Sequence, residues 1–114
     1  MRERGTRRCI PRRPIGVQLL VDGYVAAHGE LADLSLGGAS LWMGEGFRSG
    51  DTFEFRLETD AALPFSFRTT AKVVWSRAAM SADGRTRCGV CWDHIASVEQ
   101  DRLERLIAAA CAGH

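Results

Sequence analysis

No apolar run in this sequence approaches membrane-spanning length, so no membrane-spanning helix is expected within it. No internal repeat, low-complexity tract or second compositional block interrupts its 114 residues, so one domain with a single modest core is expected. No secretory leader is expected either. The basic start is followed by Pro14 and Gly16, and Asp22 breaks the apolar stretch that would have to serve as the leader's hydrophobic segment. A cytoplasmic location is therefore expected. Catalytic signals are equally scarce: the three histidines, His28, His94 and His114, accompany no nucleophile motif, so an enzyme is not expected. The net charge is only +1, and no stretch interleaves exposed aromatics with Lys and Arg as a nucleic-acid interface would.

The small net charge conceals an asymmetry. Residues 1–13 hold six arginines (Arg2, Arg4, Arg7, Arg8, Arg12, Arg13) against one acid, Glu3, while the remainder holds nine basic and thirteen acidic residues. A cationic arm on a mildly acidic body points to an anionic partner for the arm. Taken by itself, the same charge run also fits a solvated tail.

What the sequence does have is period-two alternation, from the arm to about residue 92. Val17, Leu19 and Val21 alternate with more exposed positions, and Asp22-Gly23 suits a hairpin turn. Ala39, Leu41 and Met43 share one face, as do Phe53, Phe55 and Leu57. Phe65, Phe67, Thr69, Ala71, Val73 and Trp75 form a longer alternating run, which places Trp75 in the core. A last strand near Arg87 to Trp92 follows a turn at Asp83-Gly84. Short strands separated by glycine-rich turns predict an antiparallel barrel or sandwich. The period changes near residue 97. Ser97 with Gln100 reads as a capping box, and Leu103, Leu106, Ile107 and Ala110 share one helical face with Arg102, Glu104 and Arg105 opposite, predicting a helix over about 97–111.

Four cysteines invite a redox or metal reading. Cys88 and Cys91 form a CxxC, but inside a strand, where positions three apart face opposite sides. Redox thiols need a helix N-terminus or nearby cations to gain acidity. Cys88, Cys91, His94, Cys111 and His114 could also be offered as zinc ligands, yet structural zinc sites hold their cysteines on a tight knuckle. No metal is expected, and free thiols are the expectation for a cytoplasmic chain.

Two motifs remain. Arg8-Cys9-Ile10-Pro11-Arg12 is an RxxxR in the arm, and Asp33-Leu34-Ser35-Leu36-Gly37-Gly38 is a DxSxxG about one hairpin later. Paired guanidinium groups grip phosphates, stack on bases or donate two parallel hydrogen bonds to a guanine edge. Asp33 accepts from guanine N–H donors or orients an arginine, and Ser35 adds a hydroxyl. Gly37 and Gly38 permit positive φ and leave bare backbone that a flat base can approach. The alternative for the second motif alone is a plain Asx-type turn.

In this order and spacing, RxxxR followed by DxSxxG resembles the PilZ domain, the bacterial receptor module for cyclic di-GMP. Val73-Val74-Trp75 is similar to the family's late strand, and Cys88-Gly89-Val90-Cys91-Trp92 to its last one, with Cys91 standing where arginine is common and Ile10 where an aromatic is common. The resemblance implies a mainly β fold: a six-stranded antiparallel β-barrel over residues 15–114 closed by the C-terminal α-helix, with residues 1–14 as a flexible basic arm. It implies that Arg8, Arg12, Asp33, Ser35 and Gly38 bind cyclic di-GMP, with Arg7, Arg13 and Gly37 as secondary contacts. It further implies that the arm folds over the barrel mouth and signals to a partner protein. The competing expectations are a ligand-independent adaptor of the same fold and a small nucleic-acid-binding barrel.

Overall fold

The computed structural model describes residues 8–44, 47–58, 66–78 and 84–110. Among them are strands β1 (Gly16–Val21), β2 (Tyr24–Leu34), β3 (Gly38–Met43), β4 (Thr52–Leu57), β5 (Arg68–Ala78) and β6 (Thr86–Trp92), followed by helix α1 (Ser97–Ala110). The strands close into an antiparallel barrel in the order β1-β2-β3-β6-β5-β4, with β4 returning to β1. Two three-stranded meanders, β1-β2-β3 and β4-β5-β6, are thus joined by one crossover. Closure leaves no open edge to template pairing with another chain. The six-stranded barrel is the one the resemblance implies, and the terminal helix is the one the periodicity predicts; Cys111, at the expected helix end, lies outside the described residues.

The alternating residues fill the interior. Val17, Leu19, Leu41, Met43 and Phe55 are fully buried, with Phe67, Val73 and Cys88 beside them. Phe55, Phe67 and Trp92 meet edge-to-face with centroids 5.0 to 6.1 Å apart. Leu103 and Leu106 of α1 are completely buried, and burying each adds about 1.5–3 kcal/mol relative to exposure. Phe65 lies outside the described residues. At the β1–β2 hairpin, Asp22 (φ 53) and Gly23 (φ 83) both take the left-handed conformation that a two-residue turn requires. At the later turn Gly84 has φ 74, while Asp83 lies outside the described residues.

Three details depart from the simple alternation. The β1–β2 register shifts between Leu19 and Leu20, so Leu20 turns inward and Val21 is exposed. A second shift, between Val73 and Trp75, takes Trp75 out of the Phe67 face. At α1, the Gln100 amide donates to the Ala96 carbonyl at 2.8 Å, so Ala96 rather than Ser97 occupies the cap position and the expected capping box does not form there. Glu99 does the joining instead: its carboxylate accepts from the Arg68 amide of β5 (3.3 Å) and from Arg102 (3.1 Å).

Candidate ligand-binding site

The site begins with a bulge. Leu31 pairs with Leu41, but the β2–β3 register then slips, so that Asp33 pairs with Ser40 and Leu34 with Ala39. The extra residue keeps Leu34 in the core and turns Asp33 onto the outer wall of the barrel. Cys9 then forms an antiparallel bridge to Leu34, with N···O distances of 2.8 and 2.9 Å in the two directions. That bridge lays the arm along the end of β2 and sets Arg8 against Asp33, with Nη1 to Oδ2 2.8 Å. The Arg8 side chain is 61% exposed and the Asp33 side chain only 10%. An exposed cation therefore covers a nearly buried carboxylate.

Past Asp33 the chain reverses. The Ser35 amide donates to the Gly38 carbonyl at 2.8 Å, while the Ser35 hydroxyl accepts from the Gly37 and Gly38 amides at 3.3 and 3.2 Å. The hydroxyl thus closes the turn that carries it. Neither Gly37 nor Gly38 is among the described glycines with positive φ, which are Gly23, Gly50 and Gly84, so the turn does not use the freedom that glycine permits there. Gly38 is needed for another reason: a Cβ there would collide with the Val90 carbonyl and the Cys91 backbone of β6. Its bare backbone serves the β3–β6 approach.

The wall beside the turn is built by pairing. Ser40 pairs with Gly89, and Trp75 pairs with Gly89 from the other side, so Asp33, Ser40, Gly89 and Trp75 form one outward-facing row across four strands. A Cβ at Gly89 would strike the Trp75 indole, so the ring lies flat over the glycine. Arg77 stands 4.9 Å over the same ring. Arg8, Asp33, Ser35, Gly37, Gly38 and Trp75 line a cleft of about 250 Å³. Arg12 and Arg13 line a second concavity of about 300 Å³ with Glu30 and Trp42.

A sequence model of the PilZ domain matches residues 2–109. The chain belongs to the PilZ domain family. Solved structures of similar fold include the PilZ domain of YcgR from Escherichia coli, determined with c-di-GMP (TM-score 0.72, 19% identity, 96% of this chain and 92% of that one). Another is the Bacillus subtilis inhibitor of motility MotI/DgrA (TM-score 0.68, 15% identity), where the match covers 94% of this chain and 51% of that one. The PilZ domain of CeSA from a cellulose-synthesizing bacterium is similar at TM-score 0.62 and 24% identity, over 90% of this chain and 95% of that one. No curated protein matches the chain.

Within this PilZ domain, the expected residues fall into two groups. Arg8, Asp33, Ser35, Gly37 and Gly38 come together at the first cleft. Arg12 and Arg13 stand at the second, and Arg7 lies outside the described residues. Trp75, expected in the core, is half-buried at the first cleft because of the Val73/Trp75 bulge. Arg87, Ser40 and Trp42 were not singled out by sequence, yet they adjoin Asp33: Arg87 Nη2 is 3.0 Å from the Ser40 hydroxyl and 3.5 Å from Asp33 Oδ2, and its guanidinium lies 4.7 Å over the Trp42 ring. Their signal is parity alone, since Arg87 shares the Gly89 side of β6 and Trp42 the Ser40 side of β3.

The cysteines behave as three environments. Cys88 points into the core and Cys91 lies half-buried on the other side of the strand, so the two do not converge on one ion. Burial pushes the Cys88 thiol up from 9.0 to about 11, the opposite of what a reactive thiol requires. Cys9 is buried and disulfide-bonded, which corrects the expectation of free thiols; Cys88 and Cys91 are free. Cys111 and His114 lie outside the described residues. Among the described residues no helix is long and apolar enough to cross a membrane.

Proposed function

We propose that this PilZ domain is a receptor for cyclic di-GMP, binding it with Arg8, Arg12, Asp33, Ser35 and Gly38 and transmitting the event to a partner protein through its N-terminal arm. The observation that carries the reading is the Arg8–Asp33 contact at the floor of the cleft. It sets one residue of each motif, 25 positions apart, side by side at the first cleft.

The ligand offers two guanines and two phosphodiesters with a double negative charge. Asp33, as carboxylate, accepts from guanine N–H donors, and Arg8 donates to O6 and N7 or to a phosphate. The Trp75 indole supplies a face on which a base stacks, an interaction worth about 1–3 kcal/mol. At about 250 Å³ the cleft falls just short of the roughly 300–1,000 Å³ of whole small-molecule sites, which suits one base. The rest of the ligand then extends toward Arg12 and Arg13, with Arg7 and Arg13 as auxiliary cations. Ser35 and Gly38 support the turn, the first by its hydroxyl and the second by its missing side chain.

To engage ligand, Arg8 gives up part of its ion pair with Asp33, in which the arginine is exposed and the carboxylate nearly buried. Each charge-assisted bond to ligand returns about 1.5–3 kcal/mol. The exchange loosens the arm's side-chain contact with Asp33. The arm is also tied to α1, since the Arg12 amide donates to the Ala110 carbonyl at 3.3 Å. A partner that reads the arm or the end of α1 then senses occupancy as a shift between arm states. No catalytic step is involved.

Equilibrium dialysis with labelled cyclic di-GMP tests the reading. Unlabelled cyclic di-GMP should displace the label, while GTP, cyclic di-AMP and a single-stranded oligonucleotide should not. Displacement by the oligonucleotide with a steep salt dependence would replace the receptor with a nucleic-acid-binding barrel. Absence of binding by the folded protein would leave a ligand-independent adaptor.

A further inference from the structure

We infer that Arg87 is a positioning residue for the ligand site: it holds the Asp33 carboxylate in its binding orientation when Arg8 turns away to the ligand. The inference rests on the receptor reading above and adds to it a residue outside both motifs.

Two guanidinium groups face one carboxylate oxygen. Arg8 Nη1 is 2.8 Å from Asp33 Oδ2, and Arg87 Nη2 is 3.5 Å from the same atom. They are held very differently. Arg8 sits on the arm with its side chain 61% exposed, whereas the Arg87 side chain is 31% exposed and anchored on two sides. Its Nη2 donates to the buried Ser40 hydroxyl at 3.0 Å, and its plane lies 4.7 Å over Trp42. Trp42 is in turn covered by Arg85, which reaches Glu30 at 3.4 Å. Stacking and a planar fork limit how far a guanidinium can wander.

Ligand binding creates a problem that this arrangement solves. Arg8 cannot donate fully to a phosphate or a guanine edge and remain Asp33's principal cation. Once it moves, a carboxylate with 10% side-chain exposure would be left without a charge partner, and a buried unpaired charge is costly. Arg87 stays behind on Trp42 and Ser40. It compensates the charge and leaves the second carboxylate oxygen, Oδ1, to accept from the guanine edge. Arg8 is then the movable clamp and Arg87 the fixed counter-ion.

Calorimetry with cyclic di-GMP on the intact chain tests this through a double-mutant cycle. Arg87→Gln should weaken binding about tenfold in the wild-type background and less than about twofold in Asp33→Asn, because the effect passes through the carboxylate. A purely structural role would weaken both backgrounds alike, and that result overturns the inference. Arg87→Lys, which keeps the charge without the fork, should recover part of the loss. If Arg87→Gln does not fold, Ser40→Ala removes one anchor and should weaken binding about threefold, again only where Asp33 is present. Wild-type binding untouched by any of these changes overturns the inference alone, whereas a wild-type chain that binds no cyclic di-GMP overturns the receptor reading and the inference together.

Discussion

Replacing Gly38 by alanine separates two roles that a motif glycine can play. If the glycine exists so that a base can approach, Gly38→Ala should weaken ligand binding and leave stability alone. The geometry predicts the reverse order of effects. A Cβ at position 38 meets the Val90 carbonyl and the Cys91 backbone, which cannot rotate away as a flexible side chain would. Overpacking of this kind costs about 1–3 kcal/mol. Prising β3 from β6 also endangers the bond from the Trp92 amide to the Gly37 carbonyl (3.1 Å), worth about 0.5–1.5 kcal/mol net. Against this, the stiffer unfolded chain returns about 0.4–1 kcal/mol. The net expectation is a loss of about 2–3 kcal/mol, or roughly 10–20 °C in Tm for a domain of this size. Urea unfolding followed by circular dichroism measures it, with m unchanged if the unfolded state is unaffected. A midpoint equal to wild type would refute the close-approach explanation, and weakened binding at unchanged stability would make ligand contact, not strand packing, the main reason for the glycine.

Further expectations concern the indole, the thiols and the arm. Trp75→Phe should keep the fold within about 1 kcal/mol but remove most of any tryptophan fluorescence change caused by cyclic di-GMP; an unchanged signal would assign it to Trp42 or Trp92. Cys91 should react with iodoacetamide well before Cys88, because a thiol with a pKa of about 11 is only about a thousandth ionised at pH 8. The same shift fixes the sign of a pH effect. The folded-state value lies above the unfolded one, so the stability Cys88 contributes is present below pH 9 and is lost as pH rises toward 11; Cys88→Ala should flatten alkaline unfolding in that window. Arg12→Ala and Arg13→Ala should reduce the salt dependence of ligand binding, Arg12→Ala by more, in titrations at two ionic strengths.

How legible the molecule was depends on whether a feature repeats along the chain. The β3 and β4 strands and the buried face of α1 follow from periodicity, because Ala39, Leu41 and Met43, then Phe53, Phe55 and Leu57, then Leu103 and Leu106 recur with one period and one destination. A bulge leaves no such trace. It inserts one residue into one strand, so Val21 and Trp75 read as interior although each follows a register shift and faces out. The α1 start misled for a local reason: Ser97 is a good cap residue, but the first helical bond ends on Ala96. At the site, residues within the two motifs were visible as chemistry. Arg87, Ser40 and Trp42 were not, since their meeting depends on β3 pairing with β6 across more than forty residues of chain.

The most direct test of the shared site is a calorimetric titration of the folded chain with cyclic di-GMP, run beside Arg8→Ala and Asp33→Ala at one salt concentration. Saturable binding by the wild type, weakened at least about tenfold in each variant with Tm preserved, is the expected result. Equal affinity in all three chains would show that the arm and the turn do not hold the ligand between them.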